Sequence, residues 1–384
     1  MAPLPIRRVI PLTLFSLSLT FLLGFGVPSA LNFIARCCGF PEAGMTECIV
    51  LVYLFFVCYE VLPPIPRGTV KVHGKAVLVT GCDSGFGFVL AKHLHELGFT
   101  IFAGCRLKDE MGEGSRGLEM LHSDRMKVLQ LDVCSDQQVA QAVEFVGANL
   151  EDPEKGLWAV VNSAEVCTFG EVEFVGMETY KHLSEVNLWG TIRVTKALLP
   201  LIRRAKGKRE RINLMLSTVW DRKGRRLCII AGRVVNVSSM FGRMGGPLRS
   251  PYCVSKYGVE AFSDCLRYEM KPWGVKVIVI EPGNFVEPGN PMTRDIMDAT
   301  ANKRWQEAGP RVQEDYGKTR FEQHISTMRS YCSCGQKDTT PFLNDVTDAV
   351  RSCRPFARYC PMVMRWWIRM QVITHLPTTI SDWI

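Results

Sequence analysis

Two groups of residues in this chain have types and spacings suited to chemistry. The first is Tyr252 and Lys256, four positions apart, with Ser238 and Ser239 upstream at the end of the apolar run 234–237. Four-residue spacing on a helix places both side chains on one face. An ammonium beside a phenol favours the tyrosinate. A tyrosine poised that way takes or gives a hydroxyl proton while a hydride moves at the adjoining carbon. Ser239 lies thirteen residues before Tyr252 and is spaced to hold the oxygen of the same substrate. The Tyr-x-x-x-Lys spacing is common on helix surfaces, so its weight depends on what accompanies it.

The second group accompanies it. Thr80-Gly81-Cys82-Asp83-Ser84-Gly85-Phe86-Gly87 sits between a β-rich run at 75–80 and a helix-spaced run at 88–97. Glycines there permit a tight turn and a close approach of backbone to a pyrophosphate, and the helix start offers free N–H groups to it. The spacing is G-x-x-x-G-x-G rather than G-x-G-x-x-G. Gly81, Ser84, Gly85, Phe86 and Gly87 are expected to cradle a dinucleotide, which would accept the hydride that Tyr252 and Lys256 help to release.

Such a pair of sites needs a scaffold that brings strand ends together. Short β-rich runs at 75–80, 99–103, 127–131, 158–161, 234–237 and 275–280 alternate with helical stretches. That alternation predicts βαβ units and an α/β fold, a Rossmann doubly wound parallel sheet with helices on both faces. The 384 residues are 47% hydrophobic and 22% charged, which excludes a disordered or collagen-like chain. The net charge of +8 is spread along the sequence, so no nucleic-acid partner is expected. Fifteen cysteines include no C-x-x-C and no zinc-finger spacing. They read as reduced, structural thiols of an intracellular protein, and no metal site is expected.

These motifs resemble those of the short-chain dehydrogenase/reductase family. The resemblance runs from residue 75 to the C-terminus and extends to Glu185-Val186-Asn187-Leu188-Trp189-Gly190-Thr191, to the stretch 262–270 and to Glu281-Pro282-Gly283-Asn284-Phe285. Within the family these runs are most similar to the branch acting on 3-hydroxybutyrate, with membrane-bound 17β-hydroxysteroid and retinol dehydrogenases as more distant relatives. The resemblance implies that Tyr252 is the acid/base and that Lys256 also holds the nicotinamide ribose. It implies that Ser239 orients the substrate and that Asn187 supports a proton-relay water. It further implies cofactor contacts from Asp132 at the adenine, from Asn162 and Ala164, and from Pro282 and Gly283 at the nicotinamide. Asn187 could instead cap a helix, and Asp132 a strand end. A helix-packed homo-oligomer is the family's usual assembly.

Three features depart from the family pattern. Asn162-Ser163-Ala164-Glu165 stands where the family has Asn-Asn-Ala-Gly. A Glu there adds bulk and charge, expected near the pyrophosphate, and should weaken cofactor binding or abolish activity. Residues 208–232 form a basic insert without helical or alternating pattern, expected at the sheet edge opposite the cofactor. Its flanks read as the scar of a retained intron, since removing it restores the family's Lys-Gly-Arg-Val-Val-Asn run. The second strand ends in Gly104-Cys105-Arg106, with no acid for a ribose 2′-hydroxyl. The resemblance favours NAD; Arg106 could instead pair with a 2′-phosphate, favouring NADP.

The termini have a different character. Residues 9–35 carry no charged side chain, and about 18 apolar residues suffice to cross a bilayer. A shorter apolar run covers 48–59, and basic residues flank both runs. They read as a retained N-terminal hydrophobic membrane segment, its two runs able to form a hairpin, rather than a signal peptide or presequence. A Pro-rich linker at 62–66 follows it. The C-terminal residues 364–384 carry Trp366, Trp367 and Trp383 among arginines, which suits either an interfacial helix on membrane lipid or a helix packed on the body.

The organisation expected is therefore an anchor and linker over 1–66, a dinucleotide-binding domain over 67–330, and a substrate- or membrane-associated extension over 331–384. The expected reaction is hydride transfer between NAD and a small secondary alcohol or ketone, with 3-hydroxybutyrate/acetoacetate favoured by resemblance. A steroid or retinol dehydrogenase is the enzymatic alternative, and a catalytically impaired dinucleotide-binding protein the alternative of another class. Resemblance implies the mitochondrial inner membrane, whereas the N-terminus is more like an endoplasmic-reticulum anchor.

Overall fold

Strand β1 (Ala76–Thr80) is buried along its whole length, as a strand covered on both faces must be. It pairs in parallel with β2 (Thr100–Cys105) on one side and β4 (Ala159–Asn162) on the other. With β3 (Met126–Gln130), β5 (Arg233–Val237), β6 (Lys276–Ile280) and β7 (Arg358–Tyr359), they form a seven-stranded parallel sheet of order β3-β2-β1-β4-β5-β6-β7. The chain starts at the centre, winds outward through β2 and β3, then returns to the other side at β4. That reversal opens a crevice beyond the carboxyl ends of β1 and β4. The six expected strands are all present; the two-residue β7 was not expected. The computed structural model describes residues 68–205, 231–286 and 294–375, with isolated positions between 17 and 39 and the pairs 219–220 and 226–227.

Side chains alternate across the sheet. Val77 and Val79 of β1 face α1 (Gly85–Glu96) and α10 (Thr340–Arg351), packing with Leu90, Leu94, Phe342 and Val346. Leu78 faces the opposite layer of α3 (Asp136–Ala148), α5 (Thr191–Arg204) and α6 (Ser250–Met270), with Val146, Leu198 and Leu266. The remaining α-helices among the described residues are α2 (Glu113–Glu119), α4 (Met177–Ser184), α7 (Arg294–Glu307), α8 (Pro310–Tyr316), α9 (Lys318–Ser333) and α11 (Met364–His375). A π-helical turn, Glu185–Gly190, joins α4 to α5.

An arginine ties the C-terminal region into this core. Arg233, at the start of β5, is 2% exposed. Its guanidinium donates to the carbonyls of Ala349 (3.1 Å), Val350 and Ser352 (2.6 Å) at the end of α10. A cation at a helix C-terminus meets both the orphan carbonyls and the negative end of the dipole. Trp158 lies 4.4 Å beneath it and donates its own N–H to Val350. Burial lowers the Arg233 pKa to about 10, so it is still cationic at neutral pH. Farther along, Arg358 of β7 pairs with Glu260 and Asp264 of α6 and with Glu281 after β6.

The chain divides into Met1–Arg67 and Gly68–Ile384. The apolar runs expected to anchor the chain, 9–35 and 48–59, lie largely outside the described residues. Among the described residues no helix is long and apolar enough to cross a membrane. The short π-helical turn Leu22–Gly26 is described there, with the Phe21 and Phe25 rings 5.1 Å apart. Most of the insert 208–232 also lies outside the described residues; Val219–Trp220 pairs antiparallel with Arg226–Leu227. Its flanks, Ala205 after α5 and Ala231 before β5, lie at the amino-terminal edge of the sheet, where Lys276 N–H donates to Gly232. That edge is opposite the crevice, as the sequence predicts. Cys82, Cys105 and Cys253 are buried, unpaired thiols, and burial pushes Cys105 up to about 12.

Candidate active site

At the carboxyl end of β1 the chain turns through Gly81, whose φ is +73°. A Cβ there would lie 2.6 Å from Ala164 Cα, and one at Gly87 would lie 2.2 Å from the Gly81 carbonyl oxygen. Only glycine permits that left-handed turn and that contact between α1 and the strand end. Ser84 precedes α1 in extended conformation, and its side chain makes no capping bond. The first N–H groups of α1 are therefore left to a ligand, and Gly85, Phe86 and Gly87 line the cleft. This cradle fits a dinucleotide pyrophosphate.

The walls of the cradle are pinned by side chains. Asp83 accepts hydrogen bonds from the backbone N–H groups of Arg106 (2.8 Å) and Leu107 (2.9 Å), clamping the end of β2 to the glycine turn. The sequence reading assigned Asp83 no role; an Asx residue inside a turn was the available signal. Thr80 Oγ1 accepts from Ser163 and Ala164 N–H at 3.0 and 3.1 Å. Asp132 lines the cleft and accepts from Cys134 N–H at 2.9 Å, so it caps its own turn.

The reaction end lies where β5 runs out. Ser239 Oγ accepts from Phe241 N–H at 3.2 Å, which leaves its own proton to donate. Tyr252 and Lys256 share one face of α6, and the ammonium stands 5.5 Å from the tyrosine ring centre. Lys256 is 1% exposed and donates to the Val237 carbonyl at 3.0 Å. Pro282 and Gly283 follow β6; Met240 N–H donates to the Pro282 carbonyl at 3.0 Å.

Glu165 is placed differently from the expectation. Its carboxylate does not approach the pyrophosphate cradle. It pairs with Lys256 Nζ at 2.5 Å and accepts from the Tyr252 hydroxyl at 3.2 Å. The cause lies in its neighbours. Gly81 packs against Ala164, which ends the cradle wall one residue early. Val166 is then held by Asn187, which accepts its N–H (2.8 Å) and donates to its carbonyl (2.9 Å). Residue 165 is left to turn over α6.

The structure gathers Gly81, Ser84, Gly85, Phe86, Gly87, Arg106, Asp132, Ala164, Ser239, Tyr252, Pro282 and Gly283 around one cleft of about 700 Å³. Three of the expected site residues stand behind its wall. Lys256 reaches it through Tyr252 and Glu165. Asn187 spends its side chain on Val166 and on Ser255 Oγ (3.0 Å), fastening the wall to α6. The Asn162 side chain donates to Thr195 Oγ1 (2.9 Å) and Asn236 Oδ1 (2.8 Å), so it ties β4 to α5 and β5 instead of facing a cofactor. Arg249, Tyr331 and Cys332 also line the cleft, and no sequence motif singled them out.

The family model described as short chain dehydrogenase matches residues 75–218 and 228–298, breaking within the insert. The chain is 54% identical over 309 residues to the mitochondrial D-beta-hydroxybutyrate dehydrogenase of Rattus norvegicus, covering 80% of this chain and 83% of that protein. It is 34% identical to estradiol 17-beta-dehydrogenase 2 of Mus musculus, covering 88% of this chain and 78% of that one. Among solved structures, a short-chain dehydrogenase from Streptomyces avermitilis superposes with a TM-score of 0.57 at 22% identity, covering 80% of this chain and 94% of that one. That last likeness concerns the fold.

Proposed function

The chain belongs to the short-chain dehydrogenase family, and from that premise we propose that it transfers hydride between NAD and a secondary alcohol, with (R)-3-hydroxybutyrate and acetoacetate as the substrate pair. The observation that carries the reaction class is the convergence of Ser239, Tyr252 and Lys256 at the end of a glycine-built cradle. The 54% identity to the rat enzyme supports the substrate.

The dinucleotide, when bound, supplies the hydride acceptor. In the oxidation direction the substrate hydroxyl lies between Ser239 and Tyr252. Ser239 donates the proton that its contact with Phe241 leaves free. Tyr252, as tyrosinate, takes the hydroxyl proton, and the Lys256 ammonium favours that ionised form once Glu165, which pairs with Lys256 and accepts from the phenol, has turned away. Gly81 and the uncapped start of α1 take the pyrophosphate, with Arg106 and Asp132 towards the adenosine and Pro282 and Gly283 towards the nicotinamide. Glu165 occupies the Lys256 contact that a ribose hydroxyl would use. Its side chain is 25% exposed, so it has solvent to turn into. Its presence weakens dinucleotide binding without removing the acid/base group.

Exposed Trp367 and Ile368 on α11, with exposed Arg365 and Arg369 on the same helix, support a lipid-facing surface. With the rat relative's mitochondrial name, this supports a membrane-associated protein of the mitochondrial inner membrane. Exposed Trp189, Val254, Tyr257 and Tyr268 support a homo-oligomer packed through the outer face of α6. A second reading, a steroid or retinol dehydrogenase of the endoplasmic reticulum, is favoured by one observation: the estradiol relative covers a larger share of this chain.

The test is dinucleotide reduction by the full chain with (R)-3-hydroxybutyrate, estradiol and retinol. Turnover of the hydroxy acid, reduced about 10³-fold by Tyr252→Phe, is the expected result. Turnover of the lipid alcohols alone would move the protein to the second reading. Dinucleotide binding with no turnover of any would make it a binding protein.

A further inference from the structure

A tyrosine that is to take a hydroxyl proton must first be without its own. In this chain the group beside it works against that. Tyr252 donates to Glu165 Oε2 at 3.2 Å, and Lys256 Nζ meets the same oxygen at 2.5 Å. The ammonium that would stabilise a tyrosinate is thus neutralised by a carboxylate. That carboxylate also accepts from the phenol, and would face a second negative charge if the phenol ionised. Both effects hold Tyr252 in its neutral form.

The surroundings show how the proton can leave. Tyr252 is 8% exposed, and Lys256 and Asn187 are each 1% exposed. Asn187 gives its side chain to Val166 and Ser255, and its carbonyl accepts from Thr191 Oγ1 at 2.8 Å. Glu165 differs from all three. It touches the phenol and its side chain is 25% exposed, so it reaches both the buried group and water. Its backbone is held on either side, by Thr80 at Ala164 and by Asn187 at Val166, which leaves the side chain as the part that turns. Cys167, His182, Arg249, Tyr331 and Cys332 are the other titratable or charged groups lining the cleft on this side.

We propose that Glu165 is the proton acceptor that ionises Tyr252, and that it gives up Lys256 as it does so. The phenolic O–H bond breaks and an O–H bond forms at Glu165 Oε2. The neutral carboxyl no longer holds the ammonium in an ion pair, turns outward and loses the proton to water. Tyrosinate and the Lys256 ammonium remain, one proton is in solution, and no electrons change hands. A carboxylate is a weaker base than a phenolate, so the proton passes through Glu165 and does not rest there. A ligand for the ammonium draws the exchange forward. A ribose hydroxyl of the dinucleotide fits that place, so cofactor binding and ionisation of Tyr252 become linked. The inference rests on the dinucleotide-binding reading above and not on which alcohol is oxidised.

The test counts protons on NAD binding to the full chain. Calorimetry is run in buffers of different ionisation enthalpy, at mildly alkaline pH and with no alcohol present. The parent is expected to release about one proton per NAD bound. Glu165→Gln leaves Lys256 to ionise Tyr252 before NAD arrives, so its release should fall below about one third of the parent's. The ultraviolet band of tyrosinate should already be present in that variant without ligand. Tyr252→Phe should release almost none. A parent that binds NAD and releases no proton overturns the proposal. Equal release from the parent and Glu165→Gln also overturns it, and would make Glu165 an obstruction alone. Release that survives in Tyr252→Phe would come from another group of the cleft, and overturns it too. Glu165→Gly adds no atom and takes the place of Glu165→Gln if that variant does not fold. A parent that does not bind NAD overturns this inference together with the reading it rests on. One that binds NAD and releases the proton, but oxidises none of the three alcohols, removes the proposed reaction and supports this inference.

Discussion

At the dinucleotide end of the cleft the chain works with backbone, and at the substrate end with side chains drawn from distant elements. The first end is the Gly81–Gly87 turn, the uncapped start of α1 and the Ala164 wall, all from two adjacent strands. The second assembles Ser239 after β5, Arg249 just before α6 and Tyr252 within it, and Tyr331 and Cys332 of α9. Backbone recognition tolerates almost no added atom, because a Cβ must go where main chain already lies. Side-chain recognition tolerates substitution but depends on how remote helices pack. The two ends should therefore fail differently.

The sharpest separation comes from Gly87→Ala. Its Cβ would lie 2.2 Å from the Gly81 carbonyl oxygen, and neither α1 nor β1 can yield without opening the cradle. The expected result is a rise of about 100-fold in the NAD Kd, read by calorimetry, worth about 2.7 kcal/mol. Residual turnover at saturating NAD should keep the parent's KM for the acid. If the acid KM rose in parallel, the two ends would be one mechanical unit and the comparison would collapse.

Glu165 is where the two ends meet, and it tests the boundary. The carboxylate pairs with Lys256 and accepts from Tyr252, so it competes with a ribose for the ammonium. Glu165→Gly should tighten NAD about tenfold, or about 1.4 kcal/mol. Glu165→Gln, which retains the bulk but not the charge, should give most of that gain. A gain from Gly alone would show that bulk, and not the ion pair, obstructs the ribose. Weaker binding in both variants would mean that the carboxylate itself holds the cofactor.

The same contrast explains what could be read in advance. Parallel strands buried on both faces are continuous apolar runs, and six were legible for that reason. The glycine turn was legible because backbone recognition leaves glycines in the sequence. Tyr252 and Lys256 were legible because both lie on one helix. Arg233 was not: its strand is plain, but its partners lie 116 to 119 residues later in α10. Arg358–Tyr359 is too short to show a period. Glu165 was recognised as a departure but located wrongly, because its direction is set by Asn187 gripping Val166 from another element. Asn162 looked like a cofactor contact and is a tie between strands. Arg249 carries no motif, since its place in the cleft is set by the rings of Phe241 and of Tyr331 on α9. Contacts between elements distant in the chain are what a single sequence hides.

The smallest expected effect concerns the far end of the cradle. β2 closes on Arg106, and the nearby carboxylate, Asp83, is spent on the backbone N–H groups of Arg106 and Leu107. The strand therefore ends on a base and not on an acid placed to accept a ribose 2′-hydroxyl, which leaves discrimination against a 2′-phosphate weak. The Arg106 guanidinium would attract that phosphate. The parent should accordingly prefer NAD over NADP only modestly. Arg106→Asp supplies both the missing acceptor and the missing repulsion, and should widen the preference in kcat/KM about fivefold, or about 1 kcal/mol at this solvent-exposed position. Acid KM should be unmoved, because the substitution is made in the backbone-built end. A change in acid KM would instead show that the adenosine site reaches across the cleft to the substrate end, and that the two ends are coupled through the bound dinucleotide.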